Sequence, residues 1–132
     1  MDPRSRRAFA FVILAQAAHS VEEYVYRLFD VFAPARFVSG LFSSDTAFGF
    51  ALANGLLVGF GAWCYLARVR PSRASARAYA WFWTCLEAAN GTGHVLFAII
   101  RGGYFPGVAT APFLLAASAF LGVSLAREGR RE

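Results

Sequence analysis

The 132-residue chain contains no lysine: all thirteen of its basic residues are arginines. Charge is scarce, at 16% of residues, whereas 58% are hydrophobic, a balance too apolar for an ordinary soluble domain of this length. Its two cysteines do not form a CxxC pair, which argues against a thiol redox or cysteine–zinc site. Internal repeats, low-complexity tracts and a glycine-rich phosphate loop are also missing. These absences leave a small membrane protein as the class that fits.

Four long apolar segments are predicted to cross a membrane as helices. They occupy approximately residues 8–28, 46–67, 78–100 and 106–126, each close to the ~20 residues that span ~30 Å of hydrocarbon. The second and fourth carry no charge after their first residues. We therefore expect residues 1–132 to form one all-α domain, a four-helix transmembrane bundle. The connector that contains Phe37, Leu41 and Phe42 is a candidate for a short helix at the membrane interface.

The arginines predict how the four segments are oriented. Most of them fall at the N-terminus, in the loop between segments two and three, and at the C-terminus. Four spans with both termini in the cytoplasm place all three clusters on one side, as the positive-inside rule requires. The net charge of +5 therefore reports topology, and we expect membrane lipid rather than nucleic acid as the partner.

Two of the segments carry polar stripes at membrane depth, where each ionisable residue costs about a few kcal/mol and usually marks a functional site. At about 100° per residue, the first helix aligns Gln16, His19, Glu23, Tyr26 and Asp30, with Glu22 on the flank. The third aligns Trp83, Glu87, Asn90, Gly91, His94 and Arg101. Counted from the cytoplasmic ends at about 1.5 Å per residue, Glu22 and Glu23 lie near the level of His94. The two stripes are predicted to face each other.

The first segment also has an alternative interpretation as a signal peptide. A basic start, an apolar run and the sequence Ala15-Gln16-Ala17 resemble a secretory signal with a small-residue cleavage site. Cleavage there would leave three spans and put His19 at a frayed end. The helical pattern continues through Tyr26, which favours a retained first span.

Histidine and glutamate three or four residues apart on one helix can ligate a metal together, as in the carboxylate bundles that hold two metal ions. Imidazole with carboxylate suits Zn, Fe or Mn. The candidate ligands are His19, Glu22, Glu23, Glu87 and His94. Glu23 and Glu87 are also candidate catalytic acid–base groups, and the candidate binding residues are Asn90, Asn54 and Tyr26. For Asn54, an interhelical hydrogen bond is the favoured alternative to substrate contact.

The sequence His19-Ser20-Val21-Glu22-Glu23 near the end of the first span resembles the small bacterial HxxEE membrane-protein family. Asn90 and His94 in the third span and Pro106-Gly107 at the start of the fourth extend this resemblance along most of the chain. It implies a four-span protein, which we expect in the bacterial inner membrane, and it implies no activity. The motif is superficially similar to that of HxxEH metallopeptidases, but Glu23 replaces their second histidine, which argues against a peptidase.

Three classes of function fit these observations. The first is a metal-dependent membrane enzyme that acts on a lipophilic substrate. The second is a metal-free isomerase or lipophile-binding protein in which Glu and His move protons, and the third is a small structural or transport-associated protein with a closed His/Glu cluster. One small bundle has room for a modest pocket, and homodimerisation through a small-residue face of segment two would enlarge it. That face comprises Ala47, Ala51, Gly55 and Gly59.

Overall fold

The computed structural model of the protein describes residues 1–130, and all regular structure in that range is helical. The prediction of an all-α fold is confirmed. In chain order the helices are α1 (Pro3–Val25), α2 (Leu28–Val31), α3 (Ala33–Phe42), α4 (Thr46–Cys64), α5 (Ala76–Arg101) and α6 (Ala111–Gly129). A π-helical turn at Tyr65–Val69 extends α4 without a break.

Local capping interactions and backbone conformations set the helix ends. The Asp2 side chain accepts a hydrogen bond from the Ser5 N–H at 2.6 Å and so starts α1. The Asp45 carboxylate accepts a hydrogen bond from the Phe48 N–H and so starts α4. Arg27 adopts a left-handed conformation with φ of 55°, which separates α1 from α2. Helix α5 ends at Gly102, whose φ of 66° favours a residue without a side chain.

The four long helices overlap the four segments that the sequence predicts as spans. Two of them, Thr46–Val69 and Ala111–Gly129, are apolar and long enough to cross a membrane. The other two carry the polar stripes. The last helix begins at Ala111, later than the expected start near residue 106, because Gly107 has a φ of 96°. The preceding residues 104–110 instead form a turn-rich segment, which we call the site loop.

Helix α1 lies against α4, α5 and α6, and α5 packs along α6. Two apolar clusters fill the two ends of the bundle. The cluster at the arginine-rich end includes Phe9, Val12, Trp83, Leu121 and Leu125. The cluster at the other end comprises Leu28, Phe29, Phe50 and Phe105. Between them α1 and α5 bury polar side chains, namely Gln16, His19, Glu22, Glu23, Glu87 and His94.

Glycines of α4 lie on two faces of the helix, one inside the bundle and one on its outer surface. At Gly61 an added Cβ would lie 2.6 Å from Cδ1 of Ile13 and 3.0 Å from the Trp83 ring, so this glycine permits close packing inside the bundle. At Gly55 and Gly59 an added Cβ would meet nothing within 4 Å. The predicted small-residue face of α4 therefore turns outward at these two glycines, away from the other helices.

Candidate functional site

Three side chains from the two polar stripes converge between α1 and α5. Nε2 of His94 lies 3.0 Å from Oε1 of Glu23, and Nε2 of His19 lies 3.4 Å from the same oxygen. One potential ligand atom from each residue lies within 4.8 Å of the other two. All three residues are buried. The prediction that the stripes face each other is confirmed by the contact between His94 and Glu23.

Hydrogen bonds of the site loop fix the other nitrogen of each imidazole. Nδ1 of His94 lies 2.6 Å from the Pro106 carbonyl oxygen, which can only accept, so this nitrogen carries the hydrogen. Nδ1 of His19 lies 2.7 Å from the Thr110 hydroxyl. That hydroxyl donates its one hydrogen to Oε2 of Glu22 at 2.5 Å and can therefore accept from His19. The network assigns the Nδ1–H tautomer to both neutral histidines.

In that tautomer both Nε2 atoms direct a lone pair at the Glu23 carboxylate. Nε2 of His19 is buried and makes no hydrogen bond of ordinary geometry in the part of the chain that the structure describes, although Oε1 of Glu23 lies 3.4 Å away. Lone pairs that face a carboxylate repel it unless positive charge lies among them. Ligand atoms about 2.0–2.1 Å from a tetrahedral zinc ion lie about 3.3 Å apart. The observed separations of 3.0 and 3.4 Å suit a small cation as well as they suit protons.

The Glu22 carboxylate belongs to a different set of contacts. Its Oε1 accepts from the Tyr104 hydroxyl at 2.5 Å and from the backbone N–H groups of Gly107 and Ala109, each at 3.1 Å. Its Oε2 accepts from the Thr110 N–H at 2.8 Å and from the Thr110 hydroxyl. These donors occupy both oxygens. The structure thus binds Glu22 to the site loop and does not bring it into the group formed by His19, Glu23 and His94.

Tyr104 is the phenol in this set of contacts. Burial raises its pKa well above the ordinary range, and the hydrogen bond to the Glu22 carboxylate raises it further. Tyr104 therefore stays a hydrogen-bond donor at physiological pH.

Gly107 allows the site loop to cover the two imidazoles. A Cβ at this position would lie 2.5 Å from Nδ1 of His94 and 2.8 Å from Cε1 of His19. Its φ of 96° is also one that residues with side chains rarely adopt. Steric and backbone requirements thus both favour glycine here.

Glu87 is fully buried beside this group and has partners of its own. With the Gln16 amide oriented to pair donors with acceptors, its nitrogen lies 2.7 Å from Oε2 of Glu87, and its oxygen lies 2.9 Å from the Ser20 hydroxyl. Nδ2 of Asn90 lies 3.4 Å from the same Glu87 oxygen. The structure therefore brings Glu87 and Asn90 together as predicted, but as a neighbouring pair that does not join the three converging ligand atoms.

The remaining predicted binding residues differ in position. Oδ1 of Asn54 lies 2.7 Å from the Ser20 hydroxyl, an interhelical polar contact of the kind favoured from the sequence. Tyr26 is 58% exposed, and its ring centroid lies 5.1 Å from that of Tyr104. Tyr26 thus lies outside the buried group.

Comparison with known proteins identifies the motif. A family model described as "protein of unknown function with HXXEE motif" matches residues 10–121. The chain belongs to the HXXEE family. No curated protein and no solved structure gives a significant match. Within the HXXEE motif of this chain, His19 and Glu23 face the second histidine of the site and Glu22 faces the site loop.

A cavity of about 430 Å³ adjoins the HXXEE motif between α3, α4 and α5. This volume lies in the range of small-molecule sites. One wall is polar and is formed by Gln16, Glu23, Asn54, Glu87, Asn90 and His94. The rest is largely apolar and includes Phe32, Val38, Phe50, Leu57 and Leu86. The cavity can hold an apolar molecule whose polar group lies against the buried carboxylates and His94.

The groups that shape this HXXEE site and were missed from the sequence include the Thr110 hydroxyl, the Tyr104 hydroxyl and the Pro106 carbonyl. A threonine shortly after a Pro-Gly turn, at the expected start of a helix, is a signal that could have indicated Thr110. A backbone carbonyl has no side-chain signature, and Pro106 could be assigned only from the fold.

Proposed function

We propose that this HXXEE protein is an integral-membrane enzyme that binds one divalent transition metal ion through His19, Glu23 and His94 and acts on a lipophilic substrate. One observation carries the proposal. The contacts of the two Nδ1 atoms assign the Nδ1–H tautomer to both neutral histidines, so that their Nε2 lone pairs converge on the Glu23 carboxylate, and Nε2 of His19 is buried with no hydrogen bond of ordinary geometry among the described residues. Histidines that bind metals typically donate their second N–H to a carbonyl or another oxygen in this way.

The donor set and its charge support a dication. Two imidazoles and one carboxylate suit Zn, Fe or Mn. Three protein ligands leave a coordination position open, which is typical of catalytic rather than structural zinc sites. Glu23 and Glu87 border one cavity, and two ionised carboxylates in an apolar interior are unfavourable without compensating charge. A divalent ion supplies that compensation.

The lining of the cavity supports the proposal that the substrate is lipophilic. Its apolar wall would hold a hydrocarbon portion, and Asn90 would orient a polar group against the buried carboxylates. When bound, a divalent metal would act as a Lewis acid on a substrate oxygen. The Glu87 carboxylate lies in the same wall and would hold or release a proton during the reaction.

A four-span topology with cytoplasmic termini is part of the proposal. Phe11, Leu14, Ile99 and Phe113 on three different helices are each between 64% and 71% exposed. Large exposed apolar surfaces mark contact with lipid or protein, which supports α1 and α5 as spans alongside the two apolar helices. We propose a bacterial inner membrane as its location.

The arginine clusters support the same orientation. The Arg6 guanidinium donates to the Arg70 carbonyl at 3.0 Å, and the Ser5 hydroxyl donates to Oε2 of Glu128 at 2.9 Å. The N-terminus, the loop after α4 and the end of α6 therefore meet at one end of the bundle. This common end would lie in the cytoplasm.

A metal-free acid–base protein is the second candidate. The connected polar side chains of Glu87, Gln16, Ser20 and Asn54 favour it, because such a chain can transfer protons along one wall of the cavity. In this case protons on the imidazoles would supply the positive charge beside Glu23.

Metal content separates the two candidates. Detergent-purified wild-type protein should retain about one equivalent of Zn, Fe or Mn by elemental analysis, whereas His19→Ala and His94→Ala should retain little. Asn54→Ala is the matched control, because Asn54 borders the cavity but has no atom in the converging group, and it should retain metal. Folded wild-type protein that stays metal-free after growth with each metal would overturn the metal proposal.

A further inference from the structure

The two glutamates of the motif are adjacent in sequence but contact different parts of the molecule. Glu23 faces both histidines across the bundle. Glu22 accepts every hydrogen bond described above from the site loop, with donors from Tyr104, Gly107, Ala109 and Thr110. The site loop in turn provides the groups that fix both imidazoles, the Pro106 carbonyl for His94 and the Thr110 hydroxyl for His19. Glu22 therefore contacts the structure that orients the ligands.

We infer that Glu22 is not a metal ligand but the positioning residue that, through Thr110, sets the tautomer of His19 and keeps its Nε2 open for a metal. This inference rests on the proposed function only for its consequence, metal binding. The hydrogen-bonded geometry that it describes exists without the metal.

The physical basis is whether the Thr110 hydroxyl donates its one hydrogen to His19 or to another acceptor. The hydroxyl lies 2.5 Å from Oε2 of Glu22, 2.7 Å from Nδ1 of His19 and 3.3 Å from the Gly107 carbonyl, the longest of the three contacts. If that hydrogen goes to Glu22, His19 donates from Nδ1 and leaves Nε2 as a lone pair. If it goes to His19, Nε2 carries the proton and can donate to Glu23, which closes the site against a metal.

The Glu22 carboxylate favours the open arrangement because hydrogen bonds to an ionised acceptor are stronger than those to a neutral one. The backbone donors from Gly107, Ala109 and Thr110 hold this carboxylate in place. The hydroxyl hydrogen is consequently directed to Glu22, and His19 is left to donate from Nδ1. Glu22 and Thr110 together thus determine whether His19 can act as a ligand.

The first experiment reads the tautomer directly in metal-free protein. Nitrogen-15 NMR of histidine-labelled protein at about pH 9, where free imidazole is neutral, distinguishes Nδ1–H from Nε2–H. We expect His19 to be the Nδ1–H tautomer in wild type and in Thr110→Ser, which keeps the hydroxyl. We expect a shift towards Nε2–H in Thr110→Val and in Glu22→Gln.

Thr84→Val is the matched control, because the Thr84 hydroxyl bonds the Ala80 carbonyl within α5, away from the site loop. It should leave the His19 signal unchanged. An Nε2–H tautomer in the wild type, or an unchanged His19 signal in folded Thr110→Val, would overturn the inference. This result does not depend on whether the protein binds metal.

The second experiment separates a positioning residue from a ligand. Glu22→Gln should weaken cobalt binding by about 10–100-fold, as loss of groups that orient ligands does, yet leave the visible spectrum at saturating cobalt unchanged. Glu23→Gln should change that spectrum or abolish stoichiometric binding. A changed saturated spectrum in Glu22→Gln would make Glu22 a ligand and overturn the inference while leaving the proposed metal site intact. Failure of wild type to bind metal would instead overturn the proposed function, and the NMR result would still decide the inference.

Discussion

Nε2 of His94, on α5, lies 3.0 Å from Oε1 of Glu23, on α1. Helices that are distant in sequence are thereby connected through two buried ionisable groups. Either group alone would be left without its partner in an apolar interior, which is strongly unfavourable. The contact consequently couples the stability of the two helices as well as forming part of the site.

This coupling can be measured with a double-mutant cycle. His94→Ala and Glu23→Ala should each lower the melting temperature in detergent, because each removes the partner of the other buried group. The double variant should lose less than the sum, with a coupling free energy on the order of 1–3 kcal/mol. Ser124→Ala combined with Glu23→Ala is the control and should be additive, because Ser124 bonds only within α6 in the described contacts. Strict additivity for the His94 pair would show that the contact has no energetic role.

Gly107→Ala should disrupt the site. The new Cβ would lie 2.5 Å from Nδ1 of His94, in a backbone conformation with φ of 96°, so the loop or the imidazoles must move. We expect a loss of about 1–3 kcal/mol in unfolding free energy together with reduced metal retention. Gly103→Ala is the matched control, because a Cβ there meets nothing within 4 Å. Equal stability and metal content in the two variants would contradict the described packing around Gly107.

The proposed membrane topology rests on the arginine-rich end of the bundle. In intact cells an impermeant thiol reagent should label Gly103→Cys but not Ser72→Cys, with both variants made after replacing Cys64 and Cys85. Labelling of Ser72→Cys from outside would show that the orientation is the reverse of the one proposed. If the mature protein began at Ala18, the signal-peptide alternative would replace the retained first span.

Metal retention should depend on pH with a defined sign. Protons compete with a metal for imidazole nitrogen and carboxylate oxygen. Retention should therefore be complete near neutral pH and fall as the pH is lowered. Glu87→Gln should keep its metal at neutral pH, because Glu87 is not among the converging ligand atoms. Retention that rises as the pH falls would argue against a site built on imidazole.

Much of the site could be predicted from helical periodicity. Phase and depth alone placed Glu23 near the level of His94, and these residues are in contact. Helical periodicity puts Glu22 on the flank of the stripe, about 100° from Glu23 and at nearly the same depth, but it does not show what contacts that flank. The different contacts of the two glutamates depend on N–H groups of a loop that is distant in sequence, 85 to 88 residues along the chain from Glu22.

The start of α6 shows a second limit of sequence patterns. Residues 106–110 are apolar enough to extend the predicted fourth span, but hydropathy does not report backbone conformation. The positive φ of Gly107 turns this segment over the two histidines. The same turn places the Pro106 carbonyl and Thr110 hydroxyl on the imidazoles, so the tautomers could be assigned only from the fold.

X-ray absorption spectroscopy of the zinc-loaded protein tests the central claim most directly. The metal site predicts one zinc per chain with two imidazoles and one carboxylate at about 2.0–2.2 Å, and one imidazole fewer in any zinc that His94→Ala still binds. A zinc environment without histidine scattering, or folded wild-type protein that binds no zinc at neutral pH, would contradict the assignment of His19, Glu23 and His94 as ligands.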